Sequence, residues 1–173
     1  AGVFSLEDGL RLVTARGRLM QALPAGGGMV AVMATAEQVS EMLPAGVAIA
    51  AINGPEATVI SGELTALASV VARLAKHGIK TKALAGSHAF PSALMEPMLA
   101  EFRAVANQVN YALPQRELVS NVTGQVAAAE MATADYWVRH VRQPVQFATG
   151  MKTLATPGSN HLVEIGAKTV LLG

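Results

Sequence analysis

The most constraining stretch of this sequence lies between Gly28 and Leu84, where strand-like and helix-like hydrophobic patterns alternate with turn residues at each junction. Met29–Val30–Ala31–Val32–Met33 reads as a strand, and Thr35 is placed to cap a short helix through Leu43. Val47 to Ile52 reads as a second strand, closed by an Asn53–Gly54–Pro55–Glu56 turn, and Thr58 to Ser61 as a third, ending at Gly62. Leu64, Leu67, Val70, Val71, Leu74 and Ala75 outline an amphipathic helix. It ends at His77–Gly78, where glycine can take the left-handed conformation that closes a helix. Ile79 to Leu84 is the last strand. The order β-α-β-β-α-β is the split-βαβ, ferredoxin-like arrangement. Many unrelated activities use it, so the order alone assigns none.

The flanks read differently. Ser5 is an N-cap ahead of Glu7 and Asp8, and Leu6, Leu10, Val13, Leu19 and Met20 recur at helical spacing until Pro24 to Gly28 stops the run. After Leu84, a loop from Gly86 to Pro97 places His88, Phe90 and Pro91 ahead of a helix expected from about Ser92 to Val109. Glu117 to Asn121 and His161 to Gly166 read as strands, with helices at Ala134 to Val141 and Phe147 to Leu154 between them. Strand–helix–helix–strand suits a parallel sheet, although two strands alone leave such a sheet short of neighbours. The expected organisation is therefore α/β, with residues 26–85 as a small ferredoxin-like subdomain and residues 1–25 and 86–173 as part of a larger one.

Composition narrows the function. Hydrophobic residues make up 51% and charged residues 14%, enough to build a core, but only 4% are aromatic, so Ala, Val, Leu, Ile and Met must fill it. A net charge of +1 argues against nucleic-acid and anionic-membrane partners, which call for a basic cluster. No run has the length of a transmembrane helix. The absence of cysteine excludes disulfides, thiolate zinc sites and a cysteine nucleophile, and fits a reducing, cytoplasmic setting. No His/Asp/Glu cluster suggests a metal. A start at Ala1 and an end straight after Val170–Leu171–Leu172 lead us to expect a fragment of something longer.

Five stretches, in order, resemble the acyltransferase domain of modular polyketide synthases and the related malonyl-CoA:acyl-carrier-protein transacylases. They are Ala1 to Asp8 leading into Ala15–Arg16–Gly17–Arg18–Leu19–Met20–Gln21; Asn53–Gly54–Pro55 with Val59–Ile60–Ser61–Gly62; Ser87 to Pro97; Tyr136 to Val145; and Val163–Glu164–Ile165–Gly166. The resemblance implies an α/β-hydrolase-like subdomain carrying an inserted ferredoxin-like one, with the active site in the cleft between them. It implies a serine nucleophile on a Gly-His-Ser-x-Gly elbow, a histidine general base, and an arginine that pairs with the malonyl carboxylate. It also implies transfer of a malonyl-type extender unit from coenzyme A to the phosphopantetheine arm of an acyl carrier protein, beside neighbouring synthase domains and with no bound cofactor.

Carried over by residue, Arg16 falls on the carboxylate-binding arginine, whereas composition alone would make it a surface or salt-bridging residue like Arg11 and Arg18. His88–Ala89–Phe90 matches the start of the His-Ala-Phe-His signature of malonyl-selective domains, with Phe90 narrowing the pocket against an α-methyl branch. The last position of that signature, the general base, is Pro91, which has no side-chain proton acceptor. His140 occupies a position whose backbone carbonyl orients the catalytic imidazole. The family's serine elbow is expected upstream of Ala1, and Ser5, Ser87, Ser92 and Ser120 lack a Gly-x-Ser-x-Gly context. The expectation is a fragment inactive as given, the alternative a degenerate domain serving as a scaffold or carrier-docking module.

Overall fold

A computed structural model describes residues 1–85, 88–127, 129–155, 161–166 and 171. Its sheet contains β1 (Gly27–Val32), β2 (Val47–Gly54), β3 (Ala57–Glu63) and β4 (Thr81–Ala83) in the order β2-β3-β1-β4. All pairs are antiparallel, with β1 against β3 from Gly27↔Glu63 to Val32↔Thr58. This is the ferredoxin-like order expected from the hydrophobic periods. One face is covered by α2 (Ala36–Ser40) and α3 (Leu64–Lys76), whose Val39, Leu67, Val70 and Leu74 join Val30, Val32, Val47 and Ile60 in one buried cluster. Local chemistry sets the helix ends. The Thr35 hydroxyl accepts from the Gln38 N–H at 3.3 Å while the Gln38 side chain accepts from the Thr35 N–H at 3.2 Å, a reciprocal capping box. Gly78, at φ +72°, follows α3.

The second layer is helical. α1 (Leu6–Gln21), capped by Ser5, lies with α4 (Glu96–Ala106) and α5 (Ala134–Arg142) around Leu12, Leu19, Met98, Phe102, Val138 and Val141. Arg18–Glu101, Arg103–Asp135 and Arg142–Glu96 stitch the three helices at the surface. Such exposed pairs are worth about 0.2–1 kcal/mol each, so the apolar cluster carries the packing. α1 turns Leu12, Ala15 and Leu19 inward and leaves Leu6, Leu10 and Val13 exposed, so the periodic residues picked out from the sequence span two faces. Among the described residues, no helix is long and apolar enough to cross a membrane.

Two expected strands do not form. Around Glu117 to Asn121 the backbone makes a single bridge, Val119 to Val126, and the described residues 161–166 hold no strand. A strand needs a ladder to extend, and here the backbone closes on itself instead, with the Ala127 N–H donating to the Leu118 carbonyl and the Ser120 N–H to the Gln125 carbonyl. The helix expected from Ser92 begins as a 3₁₀ turn, Ala93–Met95, and becomes α4 only at Glu96. Pro97 explains the break, because it has no N–H to extend the bonding pattern backwards and suits a first helical turn.

The segment before the last helix, α6 (Phe147–Ala155), joins the two layers. Val145 donates its N–H to the Ala50 carbonyl and accepts from the Ile52 N–H, each at 2.9 Å, which adds a parallel bridge at the edge of β2. Gly124, at φ +71°, lies beneath α6, where a Cβ would approach the Thr149 Cβ to 2.5 Å. Gly124→Ala combines a left-handed backbone with a steric clash and is expected to destabilise the chain by about 2–4 kcal/mol in urea unfolding. A loss below about 0.5 kcal/mol, the usual range for surface changes, would contradict this packing.

Candidate functional site

The loop that precedes α4 is pinned against the face of the sheet that α2 and α3 leave free. Ala89 is buried against Gly27, where an added Cβ would sit 2.8 Å from the Ala89 nitrogen. The Ser92 hydroxyl, fully buried, donates to the Ala89 carbonyl at 2.7 Å and accepts from the Leu94 N–H at 3.1 Å. Pro91 is buried and its carbonyl accepts from the Ser61 hydroxyl; the Phe90–Pro91 peptide bond is cis. Between these anchored residues Phe90 keeps 39% of its surface exposed, and His88 is half-buried. Gly86 and Ser87, which begin the loop in the sequence, lie outside the described residues.

A second feature lies across the helical layer. Arg16 of α1 and His140 of α5 share a pocket of about 150 Å³ with Phe4, Leu12, Phe102 and Trp137. The three arginines of α1 differ sharply. Arg11 pairs with Glu7 at 3.6 Å and Asp8 at 3.3 Å, and Arg18 with Glu101 at 2.8 Å. The Arg16 Nε is buried with no hydrogen-bond partner, and burial lowers the guanidinium pKa from its ordinary value. An unmet donor in an apolar pocket costs about 1–3 kcal/mol, more when charged, and a planar guanidinium is suited to a carboxylate.

His140 is held below the ordinary imidazole range, first by burial and then by the charge on Arg16. Its ring lies 6.1 Å from that of Tyr136 and 6.0 Å from that of Trp137. Arg16 therefore supplies the pocket's cation while the neighbouring imidazole stays neutral. The loop reaches α1 through Met95, which lies in one buried cluster with Leu12 and Leu19. Arg16 and His140 thus come together in one pocket, while His88, Phe90 and Pro91 sit on the sheet-docked loop. Among the described residues, no group of three or more His, Asp or Glu could hold a metal. The sequence marks neither Gly27 nor Ser61 as a functional residue; its one signal is a hydroxyl inside the apolar run Val59–Ile60–Ser61–Gly62.

Comparison with known proteins adds the family. The profile described as "Acyl transferase domain" matches residues 1–173. The chain belongs to the acyl transferase domain family. Over its full length it is 51% identical to the phenolphthiocerol synthesis polyketide synthase type I Pks15/1 of Mycobacterium marinum, of which it spans 8%. The acyltransferase domain from the second module of the salinomycin polyketide synthase superposes with a TM-score of 0.88 at 52% identity, covering 91% of this chain and 37% of that one. The malonyl CoA-acyl carrier protein transacylase of Clostridium perfringens gives 0.84 at 31% identity, covering 91% and 52%. The mixed helix–sheet architecture is thus that of acyltransferase domains, and the chain spans a small part of the first synthase and about two fifths to one half of the solved chains.

The electrostatics of this acyltransferase-domain pocket can be measured. His140 protonates more readily unfolded than folded, so its contribution to stability is present above the ordinary imidazole value of about 6.5 and fades as the pH falls through the lower folded value. Arg16→Gln removes the second of the two causes. The His140 midpoint, followed by ¹H–¹⁵N NMR, should rise in that variant while remaining below the unfolded value. An unchanged midpoint would contradict the coupling.

Proposed function

We propose that this chain is the carboxylate-recognising part of an acyltransferase domain that handles malonyl-type extender units, and that it does not catalyse transfer as given. The observation that carries the reading is the buried, unpartnered Arg16 Nε beside a neutral His140. A free carboxylate on an acyl thioester would satisfy that donor bidentately. In this reading Phe90 and His88 bound the acyl pocket, and the aromatic ring excludes an α-methyl branch. By resemblance, the His140 backbone carbonyl is assigned the role of orienting the catalytic imidazole in this reading. The acyl donor is a coenzyme A thioester, the acceptor the phosphopantetheine thiol of an acyl carrier protein, and the setting a cytoplasmic multidomain synthase making polyketides or fatty acids.

Loss of chemistry follows from residue types. Pro91 at the general-base position can accept no proton, and general-base assistance is worth about 10²–10⁴-fold in rate. The sequence contains no Gly-x-Ser-x-Gly elbow. The same Pro91 favours a second reading, a degenerate domain retained as a scaffold or carrier-docking module.

Calorimetry with malonyl-CoA and acetyl-CoA separates the two, because only the first carries a free carboxylate. The first reading predicts binding at least about tenfold tighter for malonyl-CoA, lost in Arg16→Ala, since a charged hydrogen bond is worth about 1.5–3 kcal/mol. Equal affinities would favour the scaffold. Incubation with radiolabelled malonyl-CoA should leave no stable label on the chain; an acyl-serine would overturn the claim of inactivity.

A further inference from the structure

The two faces of β3 serve different neighbours. Ile60 belongs to the core under α2 and α3, while Ser61, next along the strand, is fully buried on the side where the loop docks. A hydroxyl buried in an apolar strand is unfavourable unless it is bonded, and this one donates to the Pro91 carbonyl. Proline has no N–H, so that carbonyl is the one backbone hydrogen-bonding group residue 91 possesses. One residue on the other side of Phe90, Ala89 is held by its contact with Gly27 and by the Ser92 hydroxyl on its carbonyl. Phe90 is thereby fixed at both flanks while its ring stays partly open.

We propose that Ser61, with Gly27 beside it, is a specificity-positioning residue. From the small sheet it sets the direction in which Phe90 faces the acyl group, and so sets discrimination against an α-branched unit. The inference rests on the reading of Phe90 as the selectivity residue given above. Ser61 touches neither substrate nor reacting atoms and acts only through the loop.

The test uses the 173-residue chain carrying 4-fluorophenylalanine at its four phenylalanine positions, of which Phe90 is assigned with Phe90→Leu. ¹⁹F NMR reads the ring positions, and calorimetry reads the affinity ratio of malonyl-CoA to methylmalonyl-CoA. Ser61→Ala should shift or broaden the Phe90 resonance, leave those of Phe4, Phe102 and Phe147 in place, and reduce the affinity ratio by about tenfold. Ser61→Thr, which keeps the hydroxyl, should restore both. An unmoved Phe90 resonance in Ser61→Ala overturns the proposal, as does a joint movement of all four, which would mark general loosening. Phe90→Ala separates the two layers of the argument. If it changes the affinity ratio and Ser61→Ala does not, the selectivity reading stands and the positioning inference falls. If Phe90→Ala leaves the ratio unchanged, the selectivity reading falls, and the ¹⁹F result alone decides whether Ser61 positions the ring.

Discussion

The structure depends on the docking of one short loop, residues 88–94, onto the face of an antiparallel sheet that its own helices leave uncovered. Gly27 permits the approach because it has no Cβ, and Ser61 fixes it with a hydrogen bond to the Pro91 carbonyl. A sheet buried on one face only would leave Ser61 without a partner and Ala89 exposed. With the loop in place both are buried. Val145 performs the matching task at the sheet edge, meeting backbone groups of β2 that would otherwise need water. The two layers are joined at specific residues: the Ser61 hydroxyl on the Pro91 carbonyl, Ala89 against Gly27, and the Val145 backbone on β2.

Charge placement on α1 follows from the same geometry. Three arginines lie along one helix, yet two reach carboxylates on α1 or α4 while Arg16 turns toward an aromatic-lined pocket. A buried guanidinium nitrogen without a hydrogen-bond partner is costly, and in the proposed function the acyl carboxylate offsets that cost. A neutral His140 at its edge keeps the cost to one charge.

The sequence showed the small sheet well and the larger layer unevenly, for physical reasons. In the sheet, each change of hydrophobic period coincides with a turn or capping residue, and Thr35 and Gly78 act locally, within a few positions of where they were read. The apolar runs at Glu117 to Asn121 and His161 to Gly166 have strand composition, but a strand exists only with a neighbour, and Val119 finds a single bridging residue. On α1, periodicity identified the helix but mixed two faces, because Leu6, Leu10 and Val13 are as apolar as the buried Leu12 and Leu19. Periodicity could not distinguish Arg16 from Arg18, whose partner Glu101 is brought by α4, whereas the partners of Arg11, Glu7 and Asp8, lie one turn away on α1 itself. Ser61 was illegible as a loop anchor because its partner stands 30 residues away.

If the loop and Val145 join sheet and helices, the two layers must unfold together. The single tryptophan, Trp137, reports the helical layer, and the backbone amides of β1 and β3 report the sheet. Equilibrium urea unfolding followed by tryptophan fluorescence and by amide NMR signals should give coincident transitions with one midpoint. Sheet signals persisting after the fluorescence transition is complete would show the layers to be independent and would contradict the account.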